Sequence, residues 1–200
     1  RALNRMREIG VWEYILPQVD PSQLDSATLK RVPVVVAWWE ERYHKTNIRL
    51  WLVYILLFLS RLNQEKIAAA MEQLPMDKYS QKAIAESFMV PSIAERLIRE
   101  RLEPGEIDKL VRNWNRESII YLLLCLKDEP AWENFVQYLD LKEEIKIDIN
   151  GNDVKKLGLK AGPVFSLIFD ELYRLKLNGQ IHNREDELHM VQQWIQEGKF

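Results

Sequence analysis

One cysteine in 200 residues leaves no intramolecular disulfide to form. Cys125 lies inside "IIYLLLCLK", where an inert core thiol is expected, and a chain without disulfides suits a reducing compartment, so a cytoplasmic location is expected. Charge of one sign is also missing. With 28 Lys and Arg against 30 Asp and Glu, the net charge is -2, which excludes a global field that draws the chain onto nucleic acid or anionic lipid. Any contact with RNA or DNA has to be local. Long apolar runs are absent too: "LWLVYILLFL", residues 50–59, is about half of the ~20 residues a bilayer span needs. It is expected to be a core helix, with no membrane as partner. Glycine is scarce, with seven in the chain, and there is no low-complexity segment.

What is present is helical periodicity in nearly every segment and almost no strand alternation. A 47% hydrophobic content can bury a sizeable core, so the expected fold class is all-α, a multi-helix body followed by a helical tail. The chain opens at Arg1 already in helical phase with no cap before it, as expected of a piece cut from a longer protein. Ser22 with Asp25 is expected to start a helix that Pro33 interrupts, and the β-branched "VPVVVAWWEERYH" continues it as helix. Asn47 is expected to cap the apolar helix and Asn63 the next, which Pro75 closes; Ser92 with Glu95 has capping-box spacing, and Pro104 fits a first helical position. The polar stretch 142–148 is the best boundary, giving a body over residues 1–142 and a tail over 143–200.

Three of the seven glycines fall within "GNDVKKLGLKAGP", residues 151–163. Asn150 or Asn152 can cap a short helix, Gly158 can end it in the left-handed conformation, and Gly162-Pro163 can open a second helix running to about Leu177 and stopped by Gly179. Backbone N–H groups at the start of that second helix carry partial positive charge, and Lys155, Lys156 and Lys160 surround them. The result is a local anion site suited to a phosphate backbone and blind to base edges. A helix corner with solvated lysines is the competing structural explanation.

The segment from Ile149 to Ile195 resembles the C-terminal region of bacterial class II tRNA nucleotidyltransferases, the CCA-adding and A-adding enzymes, and the related poly(A) polymerases. The resemblance rests on Gly151, Asp153 and Val154; Leu157, Gly158 and Leu159; Lys160, Gly162 and Pro163; Ile168 and Leu172; Gly179; and Asp186, Glu187 and Leu188, in that order. "ALNRMREIGVWEYILPQV" and "IRLWLVYILLFLSRL" are similar to the family's entry into its helical body and to a body helix. Ala161 and Ser166 depart from the family's pattern, which has Pro and a second Gly there.

The resemblance implies an RNA-binding region, with Lys155, Lys156, Gly158, Lys160, Gly162 and Pro163 against tRNA or other RNA. In such enzymes a catalytic head of the same parent chain, using Mg2+ with ATP or CTP, transfers nucleotides to an RNA 3′ end. No catalytic residue is expected here: the chain has no Gly-Ser dipeptide, no Asp followed two residues later by Asp or Glu, and no Glu-Asp-x-x-Arg. The fragment alone is expected to be inactive, with no cofactor or metal of its own.

Other clusters are weaker. Arg96, Arg99 and Arg101 could line a phosphate track, as could Arg42, Lys45 and Arg49 with Trp38, Trp39 and Tyr43 for stacking. Trp114, Trp132 and Trp194 read as core anchors. Glu185, Asp186 and Glu187 read as acids at a helix start that Asn183 caps. Two alternatives stand beside the RNA reading: a helical interaction or dimerisation module, and a helix-hairpin-helix DNA binder built on "LGLKAGP". Oligomeric state is left open.

Overall fold

In the computed structural model, residues 26–45, 47–60, 62, 65–67 and 76–199 are described. The expected starts at Ser22 and Asn63 and the stop at Pro75 lie outside them. The elements are α1 (Ser26–Tyr43), α2 (Leu50–Leu59), α3 (Lys78–Ser87), α4 (Val90–Arg99), α5 (Pro104–Val111), α6 (Arg116–Cys125), α7 (Glu129–Glu144), α8 (Gly151–Lys156), α9 (Val164–Leu177) and α10 (Arg184–Gln196). No strand occurs among the described residues, so the fold is all-α. No helix among them is long and apolar enough to cross a membrane.

The chain packs as two units, one up to Ile98 together with Asn113–Asp128, the other Arg99–Arg112 together with the chain from Glu129 onward. Helix α7 groups with the tail helices, and so does α5.

The first unit is organised around α6, where every residue from Glu117 to Leu124 is buried. A helix apolar on all sides needs neighbours on all sides, and α1, α2 and α3 supply them. Helix α1 runs unbroken through Pro33, which is exposed; the stripe Val32, Val35, Val36 and Trp39, spaced for one helix face, is buried and holds the helix across the missing hydrogen bond. Cys125, the last residue of α6, is partly exposed.

Two expected caps are displaced. Asn47 is left-handed (φ 72°) and α2 starts later, with Arg49 at the cap position donating its N–H to the buried Glu117 carboxylate at 2.8 Å. Helix α4 begins at Val90, and Ser92 lies inside its first turn with its hydroxyl donating to the Met89 carbonyl at 2.9 Å. In both cases burial of the apolar face decides where the helix begins, and the nearest cap-forming residue is passed over.

In the second unit, α5 packs against α7 and α9, and α9 against α10. Pro104 is the first residue of α5, as its spacing predicts. Gly105 lets the α5 backbone approach α9: its N–H donates to the Asn178 side-chain oxygen at 2.7 Å, and an added Cβ would lie 2.5 Å from Arg174 Cγ. Beneath this, Val154, Ile168, Leu172, Val191 and Trp194 form the tail core. Of the three tryptophans read as anchors, Trp194 is buried, while Trp114 and Trp132 are half-buried.

Candidate nucleic-acid interface

The Gly-rich segment folds as its local chemistry dictates. Asn150 caps α8, its side chain accepting from the Asn152 N–H at 2.9 Å, while Asp153 reaches back to the Asn150 N–H at 2.9 Å. Gly158 takes φ +100°, a conformation that side chains resist, and ends α8. Pro163 sits at the cap of α9, and α9 stops at Gly179 (φ +67°). There the Gly179 N–H donates to Lys176 and the Gln180 N–H to Leu175, closing the last carbonyls.

This geometry brings Lys155 and Lys156, in the last turn of α8, onto the same short exposed segment as Gly158, Lys160, Gly162 and Pro163. A Cβ built at Gly158 or Gly162 meets nothing within 4 Å, so the outer side of the turn is open. The side chains of the three lysines form no hydrogen bond or ion pair among the described residues. The helix start is less generous than its sequence suggests. The Phe165 and Ser166 N–H groups are already satisfied by the Gly162 and Pro163 carbonyls, leaving the Gly162 and Val164 amides without an acceptor among the described residues. Ala161 and Ser166, the two departures from the family's pattern, are both exposed.

Behind the turn lies a charged network that the sequence does not announce. The Glu187 carboxylate, on α10 and wholly buried, accepts from the N–H groups of Asp148 and Ile149, each at 2.9 Å, and from Lys176 Nζ at 2.6 Å. Arg184 donates to the Asp148 carbonyl at 2.8 Å and to the Asp153 carboxylate at 2.6 Å. The Arg184 hydrogen bond, followed by the Asn150 N–H, holds the Asp153 carboxyl below the usual range, and Lys176 does the same for Asp148. Glu187 is therefore no solvated acid at a helix start. It shares a face with Val191 and Trp194, four and seven residues on, and that spacing on the apolar stripe was the available sign of its burial.

On α9, Glu171 is gripped by Arg174 at 2.8 Å, with Lys199 at 3.3 Å, and Arg174 chiefly depresses its carboxyl to about 2. A carboxyl with a lowered folded-state pKa stabilises above its unfolded value, here 4.5, and loses that contribution as pH falls toward about 2. The melting temperature is expected to drop across this window, and Glu171→Gln is expected to flatten the drop. An unchanged acid slope in the variant, read by thermal melts at stepped pH, would show that Glu171 contributes nothing.

The other clusters are less favourable. Arg96, Arg99 and Arg101 are exposed, but Arg96 and Arg99 already interact with neighbours. Arg49 is a structural clamp: its guanidinium donates to Asp77 at 2.6 Å and lies over the Tyr79 ring at 4.6 Å. Trp39 is buried against Tyr43, ring centroids 4.7 Å apart, so it offers no stacking face. Arg42 stands over the half-buried Trp38.

Compared with known proteins, the chain matches no family model. It is 24% identical over 197 residues to the A-adding tRNA nucleotidyltransferase of Geobacter sulfurreducens, across 96% of this chain and 22% of that one. Its fold matches the Thermotoga maritima CCA-adding enzyme complexed with tRNA-CCA, with a TM-score of 0.77, 18% identity, and coverage of 96% of this chain and 47% of the other. A CCA-adding enzyme in complex with ATP is matched with a TM-score of 0.74 and 17% identity, over 99% of this chain and 46% of that one. The chain thus spans less than half the length of each of these three proteins, and the likeness covers nearly all of it.

Proposed function

We propose that this chain is the RNA-gripping, non-catalytic region of an enzyme that adds nucleotides to tRNA 3′ ends, and that residues 155–163 hold the tRNA backbone. The observation that carries this reading is the open Gly turn, where the exposed Lys155, Lys156 and Lys160 side chains form no hydrogen bond or ion pair among the described residues and stand beside two amides without an acceptor among them. Phosphate oxygens would accept from these donors, and bulkier side chains at Gly158 or Gly162 would hold the backbone away. Binding is then electrostatic, backbone-directed and salt-sensitive. The similar A-adding and CCA-adding enzymes support tRNA as the ligand.

Nucleotide transfer, with ATP or CTP and Mg2+, belongs in this proposal to the remainder of a longer cytoplasmic parent. Among the described residues no three His, Cys, Asp or Glu side chains converge as a metal site requires.

The test is a salt series of tRNA binding with duplex DNA as competitor. The chain is expected to prefer tRNA, with affinity falling steeply as salt rises. Changing Lys155, Lys156 and Lys160 to Ala is expected to weaken binding about tenfold or more at ~0.1 M salt and to make the salt slope shallower by roughly two to three. Absence of binding at low salt would overturn the proposal in favour of a protein-interaction module. Preference for duplex DNA would favour a helix-hairpin-helix DNA binder.

A further inference from the structure

Helix α8 has six residues, too few to persist alone, yet it carries two of the three lysines on which the proposed RNA contact rests. Something else must fix where those lysines point. The tail core supplies Val154 alone from within α8 as a fully buried apolar anchor. Ile149 just before the helix and Leu157 just after it pack into the same core, and the polar attachments come from α9 and the first turn of α10.

Two holds are visible, one on each side of the α8 N-terminus. Glu187 grips the chain entering α8 through the Asp148 and Ile149 N–H groups, and Lys176 from α9 completes the carboxylate's coordination at 2.6 Å. Arg184, three residues before Glu187 on the same helix, reaches over to the Asp148 carbonyl and the Asp153 carboxylate. Asp153 in turn closes the α8 capping box. Glu187 is 0% exposed, so its hold is shielded from water, which makes it directional; Asp153 is 7% exposed, but its partner Arg184 is half exposed, so the second hold is shielded on one side only.

Resting on the RNA reading above, we propose that Glu187 and Asp153 are positioning residues for the RNA contact: they set the direction in which α8 presents Lys155 and Lys156, and they touch no RNA themselves. Both are acids beside a surface meant for an anion. A reading from charge alone makes them harmful to binding, and their removal helpful. Positioning predicts the opposite sign.

The experiment measures tRNA affinity as a function of salt for Glu187→Gln and Asp153→Asn, each well below its own melting temperature, beside the unmodified chain and the triple lysine variant. Each amide variant raises the formal net charge from -2 to -1, and each replaces a two-oxygen acceptor by one that cannot satisfy all of its donors, three at Glu187 and two at Asp153. The expected result is affinity reduced about tenfold despite the more favourable charge, with a salt slope shallower by about one to two as the α8 lysines lose their phosphates. Binding as tight as or tighter than in the unmodified chain, at unchanged slope, overturns the inference even if the melting temperature falls, because a merely structural role lowers that temperature without altering the slope. Asp153→Asn, whose partner Arg184 is half exposed, provides the answer if Glu187→Gln does not fold. Failure of the unmodified chain to bind tRNA removes the RNA reading itself, whereas normal binding by the amide variants beside weakened binding by the lysine variant removes only the positioning role.

Discussion

Glu187→Ala is expected to destabilise the second unit by about 3–5 kcal/mol, the cost typical of removing one partner from a buried charged pair. Three donors converge on that carboxylate: the N–H groups of Asp148 and Ile149, and Lys176 Nζ. Alanine leaves the buried Ile149 amide without an acceptor, costing about 1–3 kcal/mol, and the partly buried Asp148 amide as well, at a smaller cost because water reaches it. Lys176 fares better, since it keeps Asp148 and the Lys146 carbonyl at 2.7 Å. Asp186→Ala is the control, because Asp186 accepts the His182 N–H at an exposed site and its loss is expected to cost about 1 kcal/mol or less. Urea unfolding followed by helical ellipticity measures both. A Glu187→Ala loss below about 1 kcal/mol would show that water replaces the carboxylate and that the network holds nothing in place.

The second large effect is expected at Phe135→Ala, with a loss of about 3–5 kcal/mol for an aromatic ring wholly removed from water. Phe135 is 0% exposed and its ring centroid lies 5.8 Å from that of Tyr138. The Tyr138 hydroxyl donates to the buried Asp108 carboxylate at 3.1 Å, and burial first, then the Asp108 charge, pushes its pKa well above the ordinary tyrosine value. Truncating Phe135 removes packing on one side of that hydroxyl–carboxylate pair. Leu167→Ala, at a side chain 56% exposed, is expected to stay within about 0.5 kcal/mol. Because α7 groups with the tail helices, the fluorescence of Trp194 on α10, read in a background whose six other tryptophans are replaced by phenylalanine, should report the Phe135→Ala loss. A Trp194 transition unmoved by the substitution would place α7 outside that cooperative unit.

What the sequence made legible was the chemistry that acts over four or five residues. Asn150 and Asn183 cap where expected, Pro104 opens its helix, and Gly158 and Gly179 adopt the left-handed conformation. The geometry of the turn that carries the lysines followed from those local signals. Features decided by distant packing were not. Asn47 and Ser92 are sound caps by type, but the buried faces of α2 and α4 set different starting points. Arg49 looked like a phosphate contact until its partners, Asp77 and Glu117, arrived from 28 and 68 residues away. Glu187 is the instructive case, for its position on the stripe with Val191 and Trp194 was visible in the sequence, while the amides it satisfies are 38 and 39 residues upstream.

The two units each draw on separated stretches of chain, and the polypeptide changes unit three times, after Ile98, Arg112 and Asp128. No single cut can therefore release either one intact. A C-terminal piece beginning near residue 143 would lack α5 and α7, leaving α9 without the backbone it meets at Gly105. An exchange of modules between proteins of this fold would have to transplant both stretches together. The boundary at which such proteins can be recombined is thus set by how the chain is interlaced, and the Gly turn travels only with helices encoded far upstream of it.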